Sequence, residues 1–187
     1  PNIVPVYEVG RRPDGALYYT MRRVEGRTLA AALSGAKTLE ARLKYLPNVL
    51  AAAQAVACAH QRSVLHRDLK PQNVMLGDLG ETYLVDWGLA RVKGKPDPSH
   101  SSTVSAPDIT GGVRMGAVGT PSYMSPEQAA GQVDELDERT DVWGLGAILY
   151  ELLTGRPPYV GPTALECVQS ILTEDHPRVH QLEPAVP

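Results

Sequence analysis

The amino-acid sequence predicts an α+β fold that is rich in helix. Two segments, residues 3–21 and 74–85, contain apolar strands around turn-forming glycine and aspartate, as antiparallel hairpins do. Elsewhere apolar residues recur at intervals of three and four, which is typical of amphipathic helices. The length of 187 residues suits one domain with a hydrophobic core of its own.

Charge and composition exclude several classes of protein. The net charge of −3, without a stripe of lysine and arginine, argues against a nucleic-acid partner. The two cysteines, Cys58 and Cys167, form no CxxC pair, and the histidines show no metal-binding spacing. A reducing, cytoplasmic location is therefore expected. The chain has no apolar run of about 18 residues, so no membrane segment is predicted.

The chain is predicted to begin with a hairpin and a short helix. Strands at residues 3–9 and 16–21 flank a turn that contains Pro-Asp-Gly at residues 13–15. Thr28 is the expected N-cap of the helix that follows, and Gly35 is its expected stop.

A longer helix is predicted from about Glu40 to Arg62 by apolar residues at intervals of three and four. Because a proline inside a helix costs about 3 kcal/mol, we expect this helix to begin near Pro47 or to kink there. His60 has no partner at a ligand spacing, so it is interpreted as a histidine packed against the core.

Two polar motifs follow this helix, one on each side of the second hairpin. Residues 66–73 read HRDLKPQN, and residues 86–88 read DWG. By composition alone, the first motif could be a solvent-exposed polar loop, and the second could be an ordinary turn, since Asp-x-Gly turns are common.

The second half of the chain contains a long polar segment and then more helices. The segment ends in GTPSYMSPE at residues 119–127, where Ser125, Pro126 and Gln128 have the spacing of a capped helix start. Thr140 and Asp141 are expected to open a buried, apolar helix over residues 142–153, which Gly155 ends. A capping box at Thr163 predicts a helix to about Leu172, and the periodicity is lost after Asp175.

Together these motifs resemble the eukaryotic-type serine/threonine protein kinases, in particular their bacterial members. HRDLKPQN resembles the catalytic loop, DWG the Asp-Phe-Gly motif, GTPSYMSPE the end of the activation segment, and residues 141–146 the Asp-Val-Trp-x-Leu-Gly helix. The resemblance implies transfer of the ATP γ-phosphoryl group to serine or threonine hydroxyls of protein substrates, with Mg²⁺ or, less typically, Mn²⁺. The Lys-Pro and Pro-Glu pairs favour this family over small-molecule kinases of the same fold.

The resemblance assigns roles to five residues. Asp68 would accept the proton of the substrate hydroxyl, and Lys70 would lie beside the γ-phosphoryl group. Thr120 would contact the side chains of Asp68 and Lys70. Asn73 and Asp86 would bind the metal ion. Phosphoryl transfer needs these types, because it requires a carboxylate to orient the nucleophile, a cation for the phosphate charge and oxygen ligands for a hard metal.

The same resemblance places the adenine site at the first hairpin. Met21 falls at the gatekeeper position behind the adenine, residues 22–26 form the hinge, and the backbone of Val24 faces the adenine edge. The alternative interpretation of these residues is a plain surface hairpin with its linker.

The resemblance also predicts the domain organisation. Residues 1–26 correspond to the end of the N-terminal lobe and the hinge, and residues 27–187 to a C-terminal lobe that is incomplete at its end. The Gly-rich phosphate loop, the strand lysine and its helix glutamate find no match in the chain. We therefore expect a kinase domain truncated at both ends, which binds ATP poorly by itself. In the family, Glu127 pairs with a late arginine that this sequence lacks.

Three further expectations follow from the resemblance. Asp141 would hold the backbone of the catalytic loop, and Trp87, in the place of the family's phenylalanine, needs a partner for its indole N–H. Arg67 would pair with a phosphate on the activation segment, with a dimer as the possible route to trans-autophosphorylation. The candidate phosphorylation sites are Ser99, Ser101, Ser102, Thr103, Ser105 and Thr110. The alternative interpretation is a disordered loop whose hydroxyl groups serve only for solubility.

A second function from a different class is a pseudokinase or scaffold that binds partners without chemistry. The intact Asp68, Lys70, Asn73 and Asp86 weigh against it, because a non-catalytic module does not need all four.

Overall fold

The computed structural model describes residues 2–94 and 121–186 and confirms the α+β fold. The strands are, in chain order, β1 (Val6–Arg11), β2 (Leu17–Met21), β3 (Gly26–Thr28), β4 (Val64–Leu65), β5 (Val74–Gly77), β6 (Thr82–Leu84) and β7 (Arg91–Val92). The helices are α1 (Leu29–Gly35), α2 (Leu39–Leu43), α3 (Leu46–His60), α4 (Pro126–Ala129), α5 (Glu138–Thr154), α6 (Ala164–Thr173) and α7 (Val179–Leu182). Turns of 3-10 helix lie at Pro71–Asn73, Pro121–Tyr123 and Val133–Glu135.

The strands form three small antiparallel sheets. Strands β1 and β2 are the predicted first hairpin, and β5 and β6 are the predicted second hairpin. Strand β3 joins the edge of β5, and β4 pairs with β7. Strands β3, β4 and β7 were not predicted, because each has only two or three residues and pairs with a strand far away in the chain. Gly26 permits the first pairing: its φ is +130°, and a Cβ there would overlap the carbonyl of Leu76.

The first three helices follow the capping and proline signals of the sequence. The Thr28 hydroxyl accepts a hydrogen bond from the N–H of Ala31 at 3.1 Å and so begins α1. The predicted longer helix is divided, because residues 39–43 form α2 separately and α3 then begins with Pro47 in its first turn. Proline is well suited to that position, where its missing N–H leaves no hydrogen bond unmade.

Helix α5 begins earlier than the sequence suggested. Its N-cap is Asp137, whose carboxylate accepts a hydrogen bond from the N–H of Arg139 at 2.8 Å, so Thr140 and Asp141 lie within the first turns. Gly155 ends the helix in the left-handed conformation, with φ of +80°. Most of α5 is buried or half-buried as predicted, but Val142 is 60% exposed on its outer edge.

The later helices are short. The predicted capping box at α4 is present, with Ser125 and Gln128 each accepting from the other's backbone N–H. Thr163 caps α6 as predicted. Helix α7 was not predicted, since four residues give no measurable period.

Two hydrophobic clusters fill the interior. The larger one joins α1, α3 and α5 with the β5–β6 hairpin, and its fully buried side chains include Leu29, Leu84, Ile148 and Leu152. The smaller one packs α6 beneath the segment that contains α4. None of the helices in residues 2–94 and 121–186 has the length and apolar content that a membrane span requires.

Candidate active site

The HRDLKPQN loop is held from below by one buried carboxylate on α5. Asp141, which is 1% exposed, accepts hydrogen bonds from the N–H of His66 and the N–H of Arg67, both at 2.8 Å. Arg67 has a φ of +67°, a conformation that residues other than glycine rarely adopt. The two bonds to Asp141 stabilise the loop in this unfavourable backbone shape. This contact is the one that the sequence predicted for Asp141.

The same carboxylate has a third partner that the sequence analysis missed. The Nε2 atom of His60 lies 2.7 Å from the Oδ2 atom of Asp141. The expectation that His60 merely packs against the core was therefore incomplete. The two residues are 81 positions apart in the chain, and no local spacing could have indicated the pair.

His66 links the loop to the DWG motif. Its ring is fully buried and lies 4.5 Å, centroid to centroid, from the ring of Trp87. Its Nδ1 atom accepts from the N–H of Asp68 at 3.2 Å, so the proton is on Nε2, which donates to the Val85 carbonyl at 3.1 Å. Burial lowers the pKa of His66, which favours this neutral form at physiological pH.

Two polar side chains of the loop converge on the carboxylate of Asp68. The Nζ atom of Lys70 donates to both oxygens of Asp68, at 3.0 and 2.8 Å. The Nδ2 atom of Asn73 donates to the Asp68 carbonyl at 2.8 Å and to its Oδ2 atom at 3.0 Å. Both side chains of the ion pair are only 16% exposed, so the charges interact in a partly desolvated site. With Nδ2 committed to Asp68, Oδ1 is the Asn73 atom that can bind a metal.

The β5–β6 hairpin brings the DWG motif beside Asn73. The N–H of Val85 donates to the Asn73 carbonyl at 2.9 Å, which places the next residue, Asp86, at the same end of the hairpin. Asp86 has a φ of +61°, and among residues 2–94 and 121–186 its carboxylate makes one hydrogen bond, a long one of 3.4 Å from the N–H of Gly88 to Oδ1. The carboxylate therefore keeps most of its capacity to bind a cation.

Trp87 is partly buried and its indole N–H is satisfied. Its Nε1 atom donates to the Leu84 carbonyl at 3.3 Å, a bond that phenylalanine could not make. Tryptophan therefore adds a tether between the DWG motif and β6.

The segment that follows residue 120 is tied to the helical core by two carboxylates. The Tyr123 hydroxyl donates to Glu151 of α5 at 2.5 Å, and the Thr140 hydroxyl donates to Glu127 at 2.6 Å. Burial raises the pKa of both Tyr123 and Glu151. Partial burial raises the pKa of Glu127, but the hydrogen bond from Thr140 and the other hydrogen bonds to the carboxylate lower it by more. The pKa of Glu127 therefore lies below its usual value.

A cavity of about 140 Å³ separates the catalytic loop from this segment. The loop contributes residues 67–70, and the opposite side is lined by Tyr123, Met124 and Gln128. Gly144 forms part of the floor, where its lack of a side chain leaves room for Leu69.

The comparison with known families settles what kind of domain this is. Residues 1–185 match the model of the protein kinase domain. The chain belongs to the protein kinase family. Among kinases, it is 39% identical to the serine/threonine-protein kinase PknD of Protochlamydia amoebophila, over 94% of the chain and 19% of that protein.

Two further bacterial kinases show similar relationships. The chain is 31% identical to the serine/threonine-protein kinase PrkC of Bacillus subtilis, over 100% of the chain and 26% of that protein. It is 35% identical to the serine/threonine-protein kinase PknB of Mycolicibacterium smegmatis, over 94% of the chain and 26% of that protein. The chain thus spans about a fifth to a quarter of the length of these relatives.

The kinase structure brings some of the predicted site residues together. Asp68, Lys70 and Asn73 form one hydrogen-bonded cluster, and Asp86 lies one residue beyond the backbone bond between Val85 and Asn73. Thr120 and the six candidate phosphorylation sites lie outside the described residues.

The two residues of the predicted adenine site lie on the first hairpin and in the linker that follows it. Met21, at the end of β2, is 45% exposed. Val24 is half-buried and lines a cavity of about 200 Å³ with the adjoining linker and the β5–β6 turn.

Sequence reasoning missed two groups that support the site. Glu151 is the acceptor for Tyr123, and Gln128 donates to the catalytic-loop backbone through its Nε2 atom. Gln128 could be seen only as a helix-capping residue, because its second contact spans 61 positions.

Proposed function

We propose that this chain provides the catalytic lobe of a serine/threonine protein kinase, which transfers the γ-phosphoryl group of ATP to hydroxyls of protein substrates. The observation that carries the proposal is the cluster of Asp68, Lys70 and Asn73 on a loop that Asp141 anchors. The similarity to PknD, PrkC and PknB, which are serine/threonine-protein kinases, supports the serine/threonine assignment.

In this proposal Asp68 orients the substrate hydroxyl and accepts its proton. Its carboxylate is held by Lys70 and Asn73, so it has a defined direction before the substrate arrives. Lys70 then stabilises the negative charge of the transferred phosphoryl group, since its ammonium lies beside the attacking oxygen. Thr120 is proposed to contact both residues and to favour a hydroxyl substrate.

Asn73 and Asp86 are the proposed metal ligands. One amide oxygen and one nearly free carboxylate are the oxygen donors that Mg²⁺ takes alongside phosphates and water. Within the described residues no cluster of three or more His, Cys, Asp or Glu competes as a metal site. When bound, Mg²⁺ would supply positive charge to the β- and γ-phosphates. Mn²⁺ has the same preference for oxygen ligands and is the proposed substitute.

The remaining assignments concern the nucleotide and the activation segment. Met21 is proposed to lie behind the adenine and the backbone of Val24 to bind its edge, with residues 1–26 closing the N-terminal lobe and 27–187 forming the C-terminal lobe. Phosphorylation between Ser99 and Thr120, in trans within a dimer, is the proposed activating event. Arg67 is its proposed partner through charge-assisted hydrogen bonds.

The test compares two charge-removing variants in the full-length protein. Asp68→Asn and Asp86→Asn should each abolish measurable incorporation of labelled phosphate from ATP. Loss of the general base alone costs about 10²–10⁴-fold, and loss of Asp86 removes the proposed metal ligand that serves the β- and γ-phosphates. Asp175→Asn removes an exposed carboxylate that is outside the Asp68 cluster and should leave incorporation unchanged.

Two outcomes would contradict the proposal. Undiminished incorporation in both variants would show that these carboxylates do not act in the reaction. Nucleotide or partner binding by the wild-type protein without any phosphate transfer would favour the scaffold function. Phosphoamino-acid analysis of the product distinguishes serine and threonine from tyrosine as the acceptor.

A further inference from the structure

The side chain of Gln128 makes two kinds of hydrogen bond at once. Its Oε1 atom accepts from the N–H of Ser125 at 3.1 Å, which completes the capping box of α4. Its Nε2 atom donates to the carbonyl of Arg67 at 2.7 Å, across the cavity beside the catalytic loop. The second bond joins the segment after residue 120 directly to the residue before Asp68.

Only the first bond is needed for the helix. A capping box requires an acceptor at the third helical position, and glutamate serves there as well as glutamine. The Nε2 donor therefore has no part in the cap. What it does is satisfy a backbone carbonyl in the partly buried catalytic loop, at the shorter of the two distances.

The bond acts on the peptide unit that leads into Asp68. The carbonyl of this unit is held by Gln128, and its N–H, which belongs to Asp68, donates to the Nδ1 atom of His66 at 3.2 Å. The preceding N–H, that of Arg67, donates to Asp141. A peptide unit is planar, so fixing both of its polar ends fixes its rotation. The next peptide unit is held through the Asp68 carbonyl, which accepts from the Nδ2 atom of Asn73 at 2.8 Å, and the two restrained units together set the direction of the Asp68 Cα–Cβ bond. Because the left-handed φ of Arg67 is intrinsically unfavourable, the unit would rotate if one end were released.

We propose that Gln128 is a positioning residue for phosphoryl transfer, which couples the end of the activation segment to the orientation of Asp68. This inference rests on the proposed kinase function for its catalytic consequence. Its structural part, the restraint of the Arg67–Asp68 peptide, stands independently of activity. Displacement of α4 removes this donor, so the peptide unit that leads into Asp68 is fully restrained only while this segment is docked.

Two variants of the full-length protein separate the cap from the coupling. Gln128→Glu keeps an acceptor for Ser125 and loses the donor to Arg67, whereas Gln128→Met loses both without adding charge. The turnover number kcat should fall about tenfold or more in both, since small misplacements of a catalytic group cost up to about 100-fold. The KM for ATP should change little. The melting temperature should fall in both variants, because both leave the Arg67 carbonyl without its donor, and it should fall further in Gln128→Met, which also breaks the cap.

Gln132→Glu is the matched control. It introduces the same charge four residues later, at an exposed side chain, and should leave kcat and the melting temperature unchanged.

Hydrogen–deuterium exchange makes the test independent of activity. In both Gln128 variants, and not in the control, the peptide that contains residues 64–70 should exchange faster than in the wild type. Unchanged exchange in Gln128→Glu would overturn the proposal, as would a wild-type kcat in an active enzyme. If the wild-type protein transfers no phosphate, the kinase proposal fails, and the exchange comparison still decides whether Gln128 restrains the loop.

Discussion

Replacement of Asp141 by asparagine tests how the catalytic loop is held. The aspartate accepts three hydrogen bonds, from the N–H groups of His66 and Arg67 and from the Nε2 atom of His60. Asparagine keeps the shape of the side chain but exchanges one acceptor oxygen for a donor NH₂ group. In either orientation of the amide, at least one backbone N–H then faces another donor.

The size of the effect can be worked out from these contacts. A hydrogen bond to a charged group contributes about 1.5–3 kcal/mol, and Asp141 is 1% exposed, so water cannot replace the lost partner. We therefore expect Asp141→Asn to reduce the free energy of unfolding by about 1.5–3 kcal/mol. For a domain of this size that corresponds to a fall of roughly 3–12 °C in Tm.

Thermal unfolding followed by far-UV circular dichroism measures this change, and hydrogen exchange shows where it acts. The exchange of residues 64–70 should accelerate more than that of the α3 core. Asp175→Asn, an exposed carboxylate with the same change of charge, should alter neither. Equal Tm values for the wild type and Asp141→Asn, with unchanged exchange in the loop, would refute the idea that this carboxylate holds the loop.

Three other changes have defined outcomes in denaturation experiments. Ile148→Ala should reduce the free energy of unfolding by about 2–5 kcal/mol, because its side chain is fully buried in the larger cluster, whereas Val142→Ala on the exposed edge of the same helix should change it by less than about 1 kcal/mol. Equal effects would contradict this packing. Trp87→Phe should reduce the free energy of unfolding by about 1 kcal/mol, because the indole hydrogen bond to Leu84 is lost, although phenylalanine is typical of the family. An unchanged free energy of unfolding would show that this hydrogen bond does not stabilise the domain. Burial raises the pKa of Glu151, so its contribution to stability is complete below the unfolded-state pKa of about 4.3 and is lost as the pH rises through its folded-state value. Wild-type stability should therefore fall relative to Glu151→Gln over that pH range, and parallel pH profiles would exclude a buried, titrating Glu151.

Local signals in the sequence were sufficient for much of the fold. Thr28, Ser125 and Thr163 were recognised as N-caps because the cap and its partner lie within three residues of each other. Pro47 likewise marks the start of α3 by a steric effect on its own turn. The predicted start of α5 was misplaced, because Asp137 and Thr140 are both acceptable N-caps and nothing local distinguishes them.

The cluster around Asp68 and its support by Asp141 were predictable from the motifs, but two other supports were not. The residues of the loop lie close together in sequence, so the motif alone is sufficient to predict the cluster around Asp68. The bonds of Asp141 to His60 and of Gln128 to Arg67 connect residues that are 81 and 61 positions apart. Such pairs depend on how helices pack, and a residue's type and local spacing contain no information on that.

The β5–β6 hairpin has a consequence for the order in which the site can form and come apart. It closes a short loop and aligns Asn73 with Asp86 through backbone bonds alone, so little chain entropy is lost in making the proposed metal-binding end. The catalytic loop is instead anchored by hydrogen bonds from His66 and Arg67 to Asp141, which is 75 and 74 positions further along the chain. These bonds require α5 to be packed against the loop. We expect the hairpin to behave as a local folding unit that survives partial opening, while the catalytic loop loses its backbone support first. A partly opened lobe would then still hold its two metal-ligand candidates side by side, with a catalytic carboxylate that has no fixed direction.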